Sequence, residues 1–176
     1  LMSYVSDEQF AEMVNNTRRI GEMCKFYELE QKPKLATVEY EHWDEYEEDL
    51  QIFNDVGKET YPNFYEYLHT DNKHDNYLAR LVAHGYVEKY DSSWDDDVYF
   101  SRLEEEFWTL REVGNKIEQP MADYFITMSK IIDICWNEAG SLVGPSRGSA
   151  GALLINYLLG ITQMNPVEME LPFVWR

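Results

Sequence analysis

Residues 144–151 read GPSRGSAG, the one stretch of the chain whose residue types and spacing suit binding chemistry. Gly144, Ser146, Gly148, Ser149 and Gly151 carry little side-chain bulk, so main-chain amides can come close to a ligand. Arg147 adds a forked cation and Ser149 a hydroxyl. The apolar run AGALLINYLLGI that follows predicts a helix starting near Ser149, with its free amides and positive dipole end turned to the same spot. Amides, guanidinium and hydroxyl together suit a polyphosphate. Equally, a short Gly/Ser turn fits a plain strand–helix connection, and spacing alone does not choose. The phosphate loop of nucleoside triphosphatases is excluded, because Gly148 is followed by Ser149 and Ala150 rather than by Lys and a hydroxyl residue. The glycine spacing also departs from the dinucleotide-binding fingerprint.

Two other clusters have simpler explanations than catalysis. His69, Asp71, His74 and Asp75 in HTDNKHD include metal-ligating types, but no tight helical pair and no cysteine. Asp71 or Asn72 is better placed as a helix cap. Asp95, Asp96 and Asp97 in WDDDVYF resemble a two-metal site only if alternate carboxylates share a strand face. That arrangement would turn Asp96 towards an apolar face, so a charged loop is the expectation.

The elements that must position the turn are mainly helices. VSDEQFAEMVNNTRRIGEMCKFY carries a capping-box pair, Ser6 and Gln9, and an apolar stripe from Phe10 to Cys24 that predicts a core-facing helix. Residues 36–72 are acidic and rich in tyrosine and turn formers, predicting short helices in an inserted or peripheral segment with a solvated face. DNYLARLVAHGYVEKY predicts an amphipathic helix that Gly85 ends or bends. SRLEEEFWTLREVGNKI predicts another, with Leu103, Phe107, Leu110 and Val113 in line. In MADYFITMSKIIDICWNEAG the apolar line runs from Tyr124 to Trp136, and Gly140 supplies the stop. The three residues Ser141, Leu142 and Val143 then predict one short buried strand before the turn. The helix after the turn is apolar nearly all round and should be enclosed by the core. The fold class expected is α+β, mostly α-helical, divided into a connector at 1–35, the acidic segment 36–72 and a main part at 73–176.

The totals exclude several functions. The 176 residues carry 33 acids against 15 bases, a formal net charge of -18, so the chain should repel a polyanion by itself. A 44% hydrophobic and 15% aromatic content indicates a packed core rather than disorder. No apolar stretch approaches a membrane span, and the opening LMSYVSDEQF lacks the regions of a secretion signal. Cys24 and Cys135 have no metal-type spacing and fit reduced thiols of a cytoplasmic protein.

Four ordered blocks carry a resemblance. VGPSRGSAGALLINYLLGITQMNP resembles the V-G-x-G-R-G-S-A-A-G-S-L-V-x-Y-x-L-G-I-T pattern of the alpha subunit of bacterial DNA polymerase III, the C family of replicative polymerases. YLARLVAHGYVEKY, RLEEEFWTLREV and DYFITMSKIIDIC are similar to three blocks upstream of it in that family. The departures are Ser146 in place of a glycine, the order of Gly151 and Ala152, Leu153 in place of a serine, and Lys130 in place of an aspartate.

The resemblance implies the N-terminal part of a palm like that of DNA polymerase beta and other nucleotidyltransferases. It implies that Gly148 and Ser149 contact the triphosphate of an incoming deoxynucleotide, with Arg147 as a neighbouring phosphate contact. Two magnesium ions would serve the complete polymerase. The family's metal-binding aspartates follow a segment matching LPFVWR, so the fragment alone is expected to be inactive. The implied partners are the rest of the polymerase or a second chain completing it, with primer–template DNA and deoxynucleotide, and no membrane. The alternative is a non-catalytic, acidic helical interaction module derived from a polymerase.

Overall fold

The computed structural model describes residues 4–24 and 35–174, in two compact units, Leu1–Pro33 and Lys34–Arg176. In the first unit, α1 spans Asp7–Met23. Its capping box forms as expected: the Gln9 amide donates to Ser6 Oγ at 3.2 Å and the Ser6 amide to Gln9 Oε1 at 3.0 Å. The expected core-facing stripe is not buried. Phe10, Met13, Val14, Ile20 and Met23 are all exposed, because the unit holds no second described element to cover them.

The second unit contains α2 (Glu45–Asp49), a 3-10 turn (Leu50–Phe53), α3 (Pro62–His69), α4 (Lys73–Lys89), α5 (Asp96–Ile117), α6 (Ala122–Asn137), a second 3-10 turn (Gly148–Ala152) and α7 (Leu154–Leu158). Among the described residues there is no strand. Ser141–Leu142–Val143, expected as a buried strand, is an irregular segment with Leu142 92% exposed. A strand needs a neighbouring backbone to bond to, and among the described residues none is ladder-bonded to this segment. Gly140, at φ +58°, closes α6 as expected, in the left-handed conformation that glycine adopts without cost.

The core is a helical sandwich of aromatic and aliphatic side chains. Phe53, Phe64, Tyr86 and Phe100 meet edge to face, and Phe64 stacks on Phe107 at 5.2 Å. Such offset and edge contacts suit the ring quadrupoles. Leu78, Leu103, Leu110, Leu154 and Leu158 fill the space between them. The acidic segment, expected at the periphery, supplies Phe53, Val56, Tyr61, Phe64 and Tyr67 to this core. Its carboxylates point outward while its aromatic rings point in, which a charge-weighted reading of the segment misses.

Polar pairs fasten that segment to α4. Buried Arg80 donates to the Trp43 carbonyl at 3.0 Å and to Glu47 at 3.2 Å, with its guanidinium over the Trp43 ring. Tyr77 Oη donates to the Glu41 carbonyl at 2.7 Å. On α6, Lys130 Nζ reaches Glu41 at 2.8 Å. The family pattern has aspartate at that position, so this departure pairs with the acidic segment.

Other local details bear on the expectations. Asn72 caps α4 as expected, its Oδ1 accepting the His74 amide at 3.0 Å. The three aspartates open a helix instead of forming a charged loop. Asp95 accepts the Asp97 amide, Asp96 accepts Tyr86 Oη at 2.7 Å, and Asp97 accepts Tyr61 Oη at 3.1 Å. Acids in a first turn also complement the helix dipole. Gly85 neither ends nor bends α4. It is buried where α4 crosses α7, and a Cβ there would lie 2.0 Å from the Leu158 carbonyl oxygen. On α6 the expected apolar line is only partly buried: Phe125 enters the core, Met128, Ile132 and Cys135 are half-buried, and Tyr124, Ile131 and Trp136 stay exposed.

Candidate phosphate-binding turn

The turn is held from below by α5, α7 and the segment that follows α7. Gln163 donates its amide to the Pro145 carbonyl at 2.7 Å, and Asn156 Nδ2 donates to the Ala150 carbonyl at 3.0 Å. Arg102 Nη2 donates to the Ala152 carbonyl at 2.5 Å and to the Leu171 carbonyl at 3.1 Å. Gly151 is buried against Ser146, leaving no room for a Cβ without moving the Ser146 hydroxyl. Gly144 lies exposed ahead of this anchored part.

Arg147, Gly148 and Ser149 stand on the outer side, all exposed. Arg147 has an extended backbone, and Gly148 takes φ +58°, a conformation a side chain would strain. The amides of Gly148 and Ser149 stand ahead of the first i→i+3 bond of the 3-10 turn, so they lack a partner inside it. Arg147 and Ser149 make no side-chain hydrogen bond, ion pair or ring contact with the described residues. The turn therefore presents a free guanidinium, a hydroxyl and two amides to solvent.

The structure corrects the expectation that the helix itself supplies the amides. α7 begins at Leu154, not near Ser149, and the GSAGA stretch coils as a 3-10 turn. Gly148 and Gly151 lower the α-helical preference of that stretch, while the helix starts where Leu154, Ile155 and Leu158 can pack. The first amides of α7 are already used. Glu106, fully buried on α5, accepts the Leu154 amide at 2.7 Å and the Ile155 amide at 2.9 Å. Arg102 completes the pair, its Nε 2.9 Å from Glu106 Oε1. Burial pushes the Glu106 carboxyl up to about 7, against the opposing pull of the two amides and Arg102.

Glu106 and Arg102, which hold the start of α7 and the end of the turn, are positions that the sequence reading missed. The signal was present: Glu106 lies three residues from Leu103 and one from Phe107, a carboxylate inside an apolar stripe. Its neighbour Glu104 does the same for another helix, accepting the Asn63 amide at 2.9 Å and the Phe64 amide at 2.8 Å at the start of α3. The EEE run of α5 thus caps two helices from the side.

Comparison with known proteins bears on what this turn serves. The family model described as the bacterial DNA polymerase III alpha NTPase domain matches residues 76–175, which include α5, α6, the turn and α7. The chain belongs to this family. As a member of the DNA polymerase III alpha family, it is 33% identical over 99% of its length to a probable DNA polymerase, YorL, of Bacillus subtilis. The same identity and coverage hold for a DNA-directed DNA polymerase of Bacillus phage SPbeta. A DNA polymerase III subunit alpha of Staphylococcus epidermidis is 33% identical over 56% of the chain. The chain spans 14% of the length of the first two relatives and 8% of the third. No solved structure matches it. Among the described residues no helix is long and apolar enough to cross a membrane.

Proposed function

We propose that this chain is the part of a DNA-directed DNA polymerase, acting in the cytoplasm, that receives the triphosphate of the incoming deoxynucleotide. Its main unit is, on this reading, the N-terminal part of a nucleotidyltransferase palm. The observation that carries the reading is the exposed guanidinium of Arg147, without a partner among the described residues, beside Gly148 and Ser149 on a turn tied down at the carbonyls of Pro145, Ala150 and Ala152. Phosphate oxygens would accept from the Gly148 and Ser149 amides and from Ser149 Oγ, while Arg147 offsets their charge. Gly144, Ser146 and Gly151 shape the loop: the first leaves its approach open, and the other two pack it shut from beneath.

The reaction is in-line attack of a primer 3′-hydroxyl on the α-phosphate, forming the new ester and releasing pyrophosphate. This chain's residues hold the leaving phosphates in line; the attacking strand is held elsewhere in the polymerase. Among the described residues no group of three or more His, Cys, Asp or Glu side chains could hold a metal ion. On this reading the magnesium ions of the complete polymerase are held by carboxylates in other parts of the enzyme. The net charge of -18 is compatible with a DNA-holding surface elsewhere in it.

In a complete polymerase carrying this chain, Arg147→Ala raises the deoxynucleotide KM or lowers turnover by about tenfold or more, the scale of one lost charge-assisted contact. Arg147→Lys recovers part of the loss, since it keeps the charge without the fork. Steady-state primer extension with each variant checks this; unchanged kinetics for Arg147→Ala would remove the assignment.

A further inference from the structure

Between α4 and α6 lies an open cleft of about 590 Å³, walled on one side by residues 38–46 and on the other by residues 158–163. Half-buried Leu81 and Ile132 are apolar parts of its lining, above buried Ile126 and Leu158. Trp136 lines it while remaining 39% exposed.

The rim is acidic and poorly neutralised. Glu39 makes no ion pair or hydrogen bond with the described residues. Among the described residues the nearest basic atom to Glu88 is His84 Nε2 at 3.8 Å, and that to Asp133 is Lys130 Nζ at 4.0 Å. The two lysines of the cleft are engaged elsewhere: Lys130 with Glu41 at 2.8 Å, Lys89 with the Leu158 carbonyl at 3.0 Å. An acidic rim whose carboxylates are unpaired at Glu39 and only loosely paired at Glu88 and Asp133 repels nucleic acid and anionic metabolites, and with Leu81, Ile132 and Trp136 beside it suits a polypeptide with cations flanking apolar side chains. The size suits the few anchoring side chains of one helix face.

We infer that the α4–α6 cleft docks a basic amphipathic helix of a partner protein, apolar side chains against Leu81, Ile132 and Trp136 and lysines or arginines against Glu39, Glu88 and Asp133. The site is distinct from the turn at Arg147, so this inference stands apart from the nucleotide reading.

The test uses the 176-residue chain and a synthetic 14-residue helical peptide of leucine and lysine, measured by titration calorimetry at low and moderate salt. Expected is saturable one-to-one binding that weakens with salt. Trp136→Ala, and separately the double variant Glu88→Lys/Asp133→Lys, each weaken it by about tenfold or more. Glu105→Lys, on the exposed face of α5, changes it by less than about twofold. Using two unrelated changes guards against one of them disturbing the fold, which circular dichroism checks. Equal losses in all three variants would reduce the binding to general charge attraction and overturn the inference. So would preference for an oligothymidylate over the peptide. Self-association of the chain that Trp136→Ala abolishes would assign the cleft to a second copy instead. Binding to this chain but not to a complete polymerase would assign it to the polymerase's own polypeptide, and either result overturns the partner reading.

Discussion

Replacing Glu106 by Ala lowers the stability of the Lys34–Arg176 unit by about 3–5 kcal/mol, the scale of breaking a buried charge pair from one side. The loss has three sources. The Leu154 and Ile155 amides lose their acceptor, Arg102 is left without its carboxylate, and a void opens beside Leu103 and Phe107. Glu106→Gln is milder, about 1–3 kcal/mol, because a carboxamide retains one acceptor oxygen.

The same residue sets a pH dependence. Its carboxyl is raised in the fold from 4.5 to about 7, so the native state favours the protonated form. The associated stability is complete below about pH 4.5 and is lost as pH rises through 7, about 3 kcal/mol in all. Urea unfolding at several pH values checks both points. Between pH 5 and 7.5 the native chain loses stability relative to Glu106→Gln, which has no proton to release there. A Glu106→Ala variant within about 1 kcal/mol of the native chain would show that the carboxylate is not what holds α7 on α5.

Adding one methyl group at Gly85 has a comparable effect. The Cβ of Gly85→Ala would lie 2.0 Å from the Leu158 oxygen and 2.7 Å from its carbonyl carbon, both main-chain atoms that cannot rotate away. α4 and α7 must separate, and about 3 kcal/mol of stability goes with the lost contact, the upper end of typical overpacking costs. A gain of up to about 1 kcal/mol, the usual benefit of Ala over Gly inside a helix, is expected only where space is open. Gly21 on α1 is such a site, since an added methyl group would have nothing within 4 Å. Thermal unfolding of the two single variants separates these cases. A Gly85→Ala chain as stable as the native one would mean that α4 and α7 cross with room to spare. Because α7 follows the candidate turn directly, the crossing also fixes the height at which Gly148 and Ser149 stand.

Much of this arrangement was legible in the chain, and its gaps have physical causes. The helices from 73 to 137 announce themselves through caps and apolar periodicity, both local in sequence. Asn72 and the Ser6–Gln9 pair do what their spacing says. What failed was non-local. The stripe of α1 reports that the helix is amphipathic, not that anything covers it. Leu142 and Val143 have strand-compatible side chains, but a strand also requires a partner backbone. Gly85 reads as a breaker by type, whereas its role comes from Leu158, 73 residues away in sequence. The small residues of the candidate turn are legible in the chain, and the structure leaves Arg147, Gly148 and Ser149 exposed. Its helix start is not legible there, because Glu106, on another helix, decides where α7 is capped.

Whether the turn at Arg147 receives a triphosphate can be read from amide hydrogen exchange across residues 144–153 in a complete polymerase. The comparison is with and without a saturating deoxynucleotide, on a primer–template lacking a reactive 3′-hydroxyl. Exchange at Gly148 and Ser149 is expected to slow by about tenfold or more when the nucleotide binds, and Arg147→Ala is expected to remove the protection. Saturation by nucleotide with no change across 144–153 would contradict the phosphate role and leave the turn a structural connection.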